Sequence, residues 1–177
     1  RHSFPTRRSS DLVIGEHRAG TLENVTESGQ KALDMAAKYA IPVHGRKVKE
    51  SSLSFVIPNN GKRAIIRCRD VDYLHPFPTL RLNSIRALHL DGHQGDAAIH
   101  YAKACREMGA LVSLDGGGLR SNTIELLSHL DVAICGERLA EQLNLDDKGL
   151  LELLKQKGVK IGGVTRGEHG MLWYDES

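Results

Sequence analysis

Long apolar runs, paired cysteines and proline are all scarce in this sequence of 177 residues. The longest apolar stretches are a handful of residues, such as Ala110-Leu111-Val112, too short for a helix that crosses a bilayer. No apolar core follows the basic amino-terminal residues, which argues against a secretory signal. Cys68, Cys105 and Cys135 are odd in number, widely spaced and free of any C-x-x-C pattern. A reduced, cytoplasmic setting is therefore expected. With only 5 prolines beside 18 glycines, the composition is neither collagenous nor of low complexity. No internal repeat marks a solenoid. What remains is 40% hydrophobic and 26% charged, the make-up of one ordinary soluble domain with one good core.

Residues 1–12 read RHSFPTRRSSDL and follow neither helical nor strand periodicity. They look like the translation of a common sequencing adapter, so they are set aside as non-native and residues 13–177 are read as the native part. The other reading is a basic arm that binds nucleic acid. Charge argues against it. Arg1, Arg7 and Arg8 against Asp11 carry the whole formal net charge of +2, and the remainder is balanced. Neither a nucleic-acid nor a membrane partner is expected. An adapter fused to a reading frame, and a chain that stops at Ser177 without a closing helix, suggest a piece cut at both ends.

From Val13 onward the pattern alternates. Val13-Ile14-Gly15 reads as the end of a strand, and Leu22 to Tyr39 as a helix with Leu33, Ala36, Ala37 and Ala40 on one face. Leu53, Phe55 and Ile57 alternate with Ser52, Ser54 and Val56 up to Pro58-Asn59-Asn60-Gly61. That predicts a β-hairpin whose return strand covers Arg63 to Cys68. Tyr73 to Pro78 is a loop. Strands are then expected over Ile85–Asp91, Leu111–Asp115, Val132–Cys135 and Val159–Thr165, with another beginning at Gly170–Tyr174. Helices are expected between them, over Asp96–Met108, Thr123–His129, Glu137–Leu143 and Lys148–Lys157, the last stopped by Gly158. This rhythm predicts an α/β fold with a parallel sheet covered on both faces.

Ligands of such sheets sit at the carboxyl ends of the strands, where loops and helix starts present free N–H groups. Four places qualify. In His89-Leu90-Asp91-Gly92-His93, alternate residues put His89, Asp91 and His93 on one strand face, a trio that zinc or iron could use in a metal-dependent hydrolase. The other readings are that Asp91 bonds a ligand hydroxyl while His89 is packed, or that Asp91 caps the next helix. In Asp115-Gly116-Gly117-Gly118-Leu119-Arg120 the glycines allow close approach and Arg120 could meet a phosphate. A plain turn explains them equally well. Cys135-Gly136-Glu137 is a third strand end, where Glu137 serves at least the helix dipole. Gly162-Gly163-Val164-Thr165-Arg166-Gly167-Glu168-His169-Gly170 covers a strand end, a glycine-rich turn and a return strand. It is neither a Walker loop nor a G-x-G-x-x-G. A flat base could lie over it, and a simple hairpin would use the same glycines.

In order along the chain, six segments together resemble the PfkB/ribokinase family of carbohydrate kinases, near its ketohexokinase-like branch. They are Gly15-Glu16-His17-Arg18-Ala19-Gly20 (a variant of G-x-D-x-x-G), Ser51-Ser52, Gly61-Lys62-Arg63, Leu88 to Gly92, Asp115 to Arg120, and Val164 to Gly170, similar to V-T-x-G-x-x-G. The resemblance implies a three-layer αβα, Rossmann-like domain with a small β-lid at about 47–69. It implies transfer of the γ-phosphoryl group of ATP to a sugar hydroxyl with Mg²⁺, and dimers formed through the lid. By position, Asp91 faces the sugar. Thr165, Gly167, Glu168 and Gly170 form the nucleotide wall, Arg63 lies near the phosphates, and Asp115 and Arg120 lie on the phosphate side.

Two departures stand out. The family's N-x-x-E reads Gly136-Glu137-Arg138-Leu139 here, and the G-A-G-D that carries the catalytic aspartate would fall beyond Ser177. The piece by itself is therefore expected to be inactive, since no base takes the hydroxyl proton. A binding module without catalysis remains the other reading of the same fold.

Overall fold

The computed structural model describes residues 13–18, 27–48, 53–59, 62–68, 73 and 75–177. The expectations for residues 1–12, for Ala19-Gly20, for Leu22 to Thr26, for Ser51-Ser52 and for Gly61 fall outside them. The chain divides into two compact units, Arg1–Leu80 and Arg81–Ser177.

In the first unit, β1 (Val13–Arg18), α1 (Glu27–Lys38) and β2 (Val43–Val48) form a β-α-β unit. Its strands pair in parallel from Val13↔Val43 to Arg18↔Val48. The strand β1 thus runs three residues past the expected stop at Gly15, and Lys47 and Val48 belong to β2, not to the hairpin. That hairpin is β3 (Leu53–Asn59) against β4 (Lys62–Cys68), antiparallel, with Asn59 opposite Lys62. Arg46 of β2 is only 5% exposed. Its guanidinium lies 3.7 Å from the centre of the Tyr73 ring and 5.8 Å from that of Phe77, and its Nε donates to the His75 carbonyl at 3.0 Å. A buried cation is costly unless its donors and charge are met, and two aromatic faces and a carbonyl help to meet them.

The second unit contains β5 (Ala87–Leu90), α2 (Gly95–Glu107), β6 (Leu111–Gly116), α3 (Thr123–Leu127), β7 (Val132–Gly136), α4 (Glu137–Gln142), α5 (Asp147–Gln156), β8 (Ile161–Thr165) and β9 (Met171–Asp175). The sheet runs in the order β5-β6-β7-β8-β9. Its first four strands are parallel, and β9 returns antiparallel to β8. The α/β expectation holds, with each boundary within two residues of its expected place. Alternation along the strands sends Val112, Leu114, Ala133, Cys135 and Val164 to one face. There they form one core with Ala98, Ala102 and Cys105 of α2, Leu126 and Leu127 of α3, Leu139 of α4, and Leu150 and Leu154 of α5. Within this unit the helices lie on that face, while Leu111, Met171 and Trp173 on the other are exposed, Trp173 by 59%.

Local chemistry sets the element ends. Asp146 caps α5, its Oδ1 accepting from the Gly149 N–H at 2.7 Å. Gly158 ends it with a φ of 80°, which glycine adopts without penalty. Glycines 162 and 163 lie inside β8, as expected. A Cβ at 162 would sit 2.4 Å from the ring of Tyr174 on β9, so this glycine makes room for an aromatic ring. Among the described residues no helix is long and apolar enough to cross a membrane.

Candidate functional site

The carboxyl ends of β5, β6, β7 and β8 lie along one edge of the second unit, and the expected site residues of that unit sit there. Asp91 follows β5 directly. Its Oδ1 accepts from the main-chain N–H of His93 at 2.9 Å, and its Oδ2 lies 2.8 Å from His93 Nδ1. The side chain is 69% exposed. Partial burial works to raise its pKa. Hydrogen bonds from the His93 main chain and ring, with the charges of His93 and Arg120, outweigh this and hold the carboxyl below its ordinary value. Asp91 therefore caps the turn before α2, not α2 itself. The cap position is Gln94, which makes no side-chain capping bond.

Arg120 belongs to the same corner. A Cβ on Gly92 would lie 3.4 Å from Arg120 Nε, so the glycine lets the arginine pass close to the loop. The Arg120 N–H donates to Thr123 Oγ1 at 2.9 Å, which fixes the chain just before α3. Asp115, near the end of β6, is exposed. Gly116 packs against Cys135, whose thiol is pushed up to about 12 by burial and by the Asp115 charge. That thiol is an inert core group, so the third strand end offers no nucleophile. Further along, the Leu119 N–H donates to Gln142 Oε1 at 2.8 Å, which ties the glycine turn to α4.

At the end of β8, Thr165 donates from Oγ1 to the Cys135 carbonyl at 3.3 Å. Gly167 and Glu168 form a single 3₁₀ turn, Gly167–His169, and Gly170 leads into β9. The Arg166 N–H closes the turn on the Gly170 carbonyl at 2.8 Å. Gly167 and Gly170 have φ of 56° and 77°, and a Cβ on either would meet nothing within 4 Å. The space beside both glycines of this turn is open.

Other expectations are not met. His89 is not packed. It lies exposed, its Nδ1 hydrogen-bonded to Ser113 Oγ at 2.9 Å. The trio His89, Asp91 and His93 does not converge, since His93 pairs with Asp91 and His89 with Ser113. Among the described residues no group of three His, Cys, Asp or Glu side chains could hold a metal ion. In the segment standing where N-x-x-E is expected, Glu137 opens α4 and Leu139 is wholly buried in the core. Arg63 lies in β4 of the other unit, opposite Pro58. Gln94 and Asn122 were not legible as site residues, because neither belongs to a recognisable pattern.

A mostly parallel five-stranded sheet with its polar groups at the carboxyl edge, in one chain with a β-hairpin, defines an α/β domain of the ribokinase-like kind. Solved structures bear this out. A PfkB protein from Polaromonas sp. superposes with a TM-score of 0.63 at 17% identity, over 93% of this chain and 63% of that one. Ribokinase from Thermotoga maritima gives 0.63 at 16% identity, over 94% of this chain and 57% of the other. Fructokinase with bound ATP from Xylella fastidiosa gives 0.59 at 18% identity, over 92% and 57%. The chain thus has the ribokinase-like fold and spans 57 to 63% of the length of these structures. No family model and no curated sequence matches it.

Proposed function

We propose that this chain is part of a carbohydrate kinase that moves the γ-phosphoryl group of Mg-ATP to a hydroxyl of a sugar. The observation that carries the reading is the carboxyl edge of the sheet. There a carboxylate held ionised, Asp91, stands beside Arg120 at one corner, and an open glycine turn at residues 167–170 stands at another. Asp91 accepts from sugar hydroxyls, and the turn with Thr165, Gly167, Glu168 and Gly170 takes the adenine nucleotide. Arg120, Asp115 and Arg63 act on the phosphate side. Phosphoryl transfer needs positioning and charge neutralisation more than covalent help from the protein, and these residue types supply both. Magnesium arrives with the nucleotide. Such ions keep few protein ligands and lean on phosphate oxygens, so the buried Leu139 does not exclude this.

The hairpin supports a lid that pairs with a second copy. It exposes Phe55, Val56, Ile57, Ile65 and Ile66 on two faces, and an isolated two-stranded ribbon of this kind is marginal by itself. The activity is proposed for the whole protein in the cytoplasm. In a protein extended to the length of its structural neighbours, ATP consumption is expected only when a sugar is present, and Arg63→Ala is expected to slow it. ATP hydrolysis indifferent to sugar, or a protein that binds both ligands and turns neither over, contradicts the kinase reading. The second outcome would establish the binding module.

A further inference from the structure

Three buried polar atoms at the corner of Asp91 have no hydrogen-bond partner: His93 Nε2, Gln94 Oε1 and Asn122 Nδ2. They are neighbours in the fold. Gln94 immediately precedes α2, and the Asn122 side chain packs on the first residue of that helix, Gly95, where an added Cβ would lie 3.0 Å from its Cγ. Asn122 is only 9% exposed. Gln94 holds a left-handed conformation, φ 49° and ψ 61°, which costs a residue with a side chain free energy. Gln94, at the cap position, makes no side-chain capping bond, and Asp96 Oδ1 accepts from the Ala97 N–H at 2.8 Å. Unpaired buried polar atoms destabilise a fold, so a site that gathers three of them beside a strained residue is kept for a reason other than stability.

Their chemistry is mixed in sign. His93 Nδ1 lies 2.8 Å from Asp91 Oδ2, which leaves Nε2 as the ring's unpaired polar atom. Gln94 Oε1 is an acceptor, and Asn122 Nδ2 is a donor. A phosphate dianion can only accept, so Asn122 Nδ2 and the nearby Arg120 could serve it, but Gln94 Oε1 and the Asp91 carboxylate could not. A hydroxyl both donates and accepts, so a pair of neighbouring hydroxyls suits this set. We propose that His93, Gln94 and Asn122, with Asp91, form a subsite that takes adjacent hydroxyls of a neutral polyhydroxy compound in preference to a sugar phosphate. This rests on the kinase reading for the choice of sugars as probes, and it names the acceptor class of that same site.

The test uses the 177-residue chain, calorimetric titration and thermal unfolding, with D-fructose, D-ribose and sorbitol as neutral probes. Fructose 6-phosphate is the charged probe, and Mg-ATP is titrated separately. The variants are Gln94→Gly, which removes the acceptor and relieves the left-handed strain, and Asn122→Leu, which removes the unpaired donor at similar volume. Each is expected to raise Tm by a few degrees and to weaken the best neutral probe by about tenfold, the worth of one hydrogen bond. Mg-ATP affinity is expected to stay unchanged. A fall in Tm shows the atoms to be structural and overturns the proposal. Unchanged sugar affinity, tighter binding of fructose 6-phosphate, or no response to any neutral probe at millimolar concentration also overturns it. Sugar binding without Mg-ATP binding leaves this subsite standing and removes the kinase reading instead.

Discussion

The two edges of the sheet in residues 81–177 are built on opposite terms. At the amino edge, Asp131 is buried and its donors and acceptors are fully used. Its Oδ2 accepts from the Val112 N–H at 3.0 Å, its Oδ1 lies 3.2 Å from Lys160 Nζ, and its carbonyl accepts from the Lys160 and Ile161 N–H groups. Arg106 adds bonds to the carbonyls of Ser128 and Leu130. One acidic side chain thus joins the starts of β6, β7 and β8. At the carboxyl edge, the loops after β5 and β6 leave His93 Nε2, Gln94 Oε1 and Asn122 Nδ2 unpaired, and Gln94 is strained. The amino edge pairs its polar groups, and the carboxyl edge carries unpaired ones beside a strained residue.

This contrast can be broken at its strongest point first. Asp131→Ala leaves the buried Val112 N–H without a partner and unties three strands. It is expected to destabilise by about 3 kcal/mol in urea unfolding while binding of Mg-ATP to the folded fraction persists. Next is Gly162→Ala, whose new methyl would strike the Tyr174 ring. A loss of about 2 kcal/mol is expected, with part of it recovered when Tyr174→Ala is added in a double-mutant cycle. A tolerated Gly162→Ala would return that glycine to a role at the ligand.

Smaller effects belong to the other edge. Asp91→Asn is expected to cost the fold less than about 1 kcal/mol, since the side chain is largely exposed and its ion pair is screened. The folded pKa of Asp91 is lowered, so its contribution is present above the ordinary carboxylate value and is lost as pH falls through the folded one. In Asp91→Asn that acid limb of the stability curve should shrink, and sugar binding should lose its dependence on pH in the same range. Smallest of all, Cys105 and Cys135 are buried with raised pKa values. In a Cys68→Ser background, native protein is expected to resist thiol labelling until it is unfolded.

The fold was legible because strand and helix periods differ and because Gly158 and Asn60-Gly61 punctuate them. The strand β2 was missed because Val43-His44-Gly45-Arg46-Lys47-Val48 reads as polar and flexible. It becomes a strand through parallel pairing with β1, across α1, and through the Tyr73 ring that covers Arg46. Such partners are distant in sequence. At the site, Asp91 and Arg120 could be singled out by type and position. Gln94 and Asn122 could not, because what marks them is a bond that is absent in space, and His93 stood out only as one of a metal trio. Gly162 was legible as part of a strand, but its reason, room for the Tyr174 ring of β9, is a contact across strands that the sequence does not show.

The most direct measurement is amide hydrogen exchange of the chain with and without Mg-ATP and D-fructose together. Added protection is expected at 91–95, 116–122 and 165–170, with residues 129–131 and 158–161 already slow and unchanged. Protection gained at the amino edge, or at neither edge, contradicts the account.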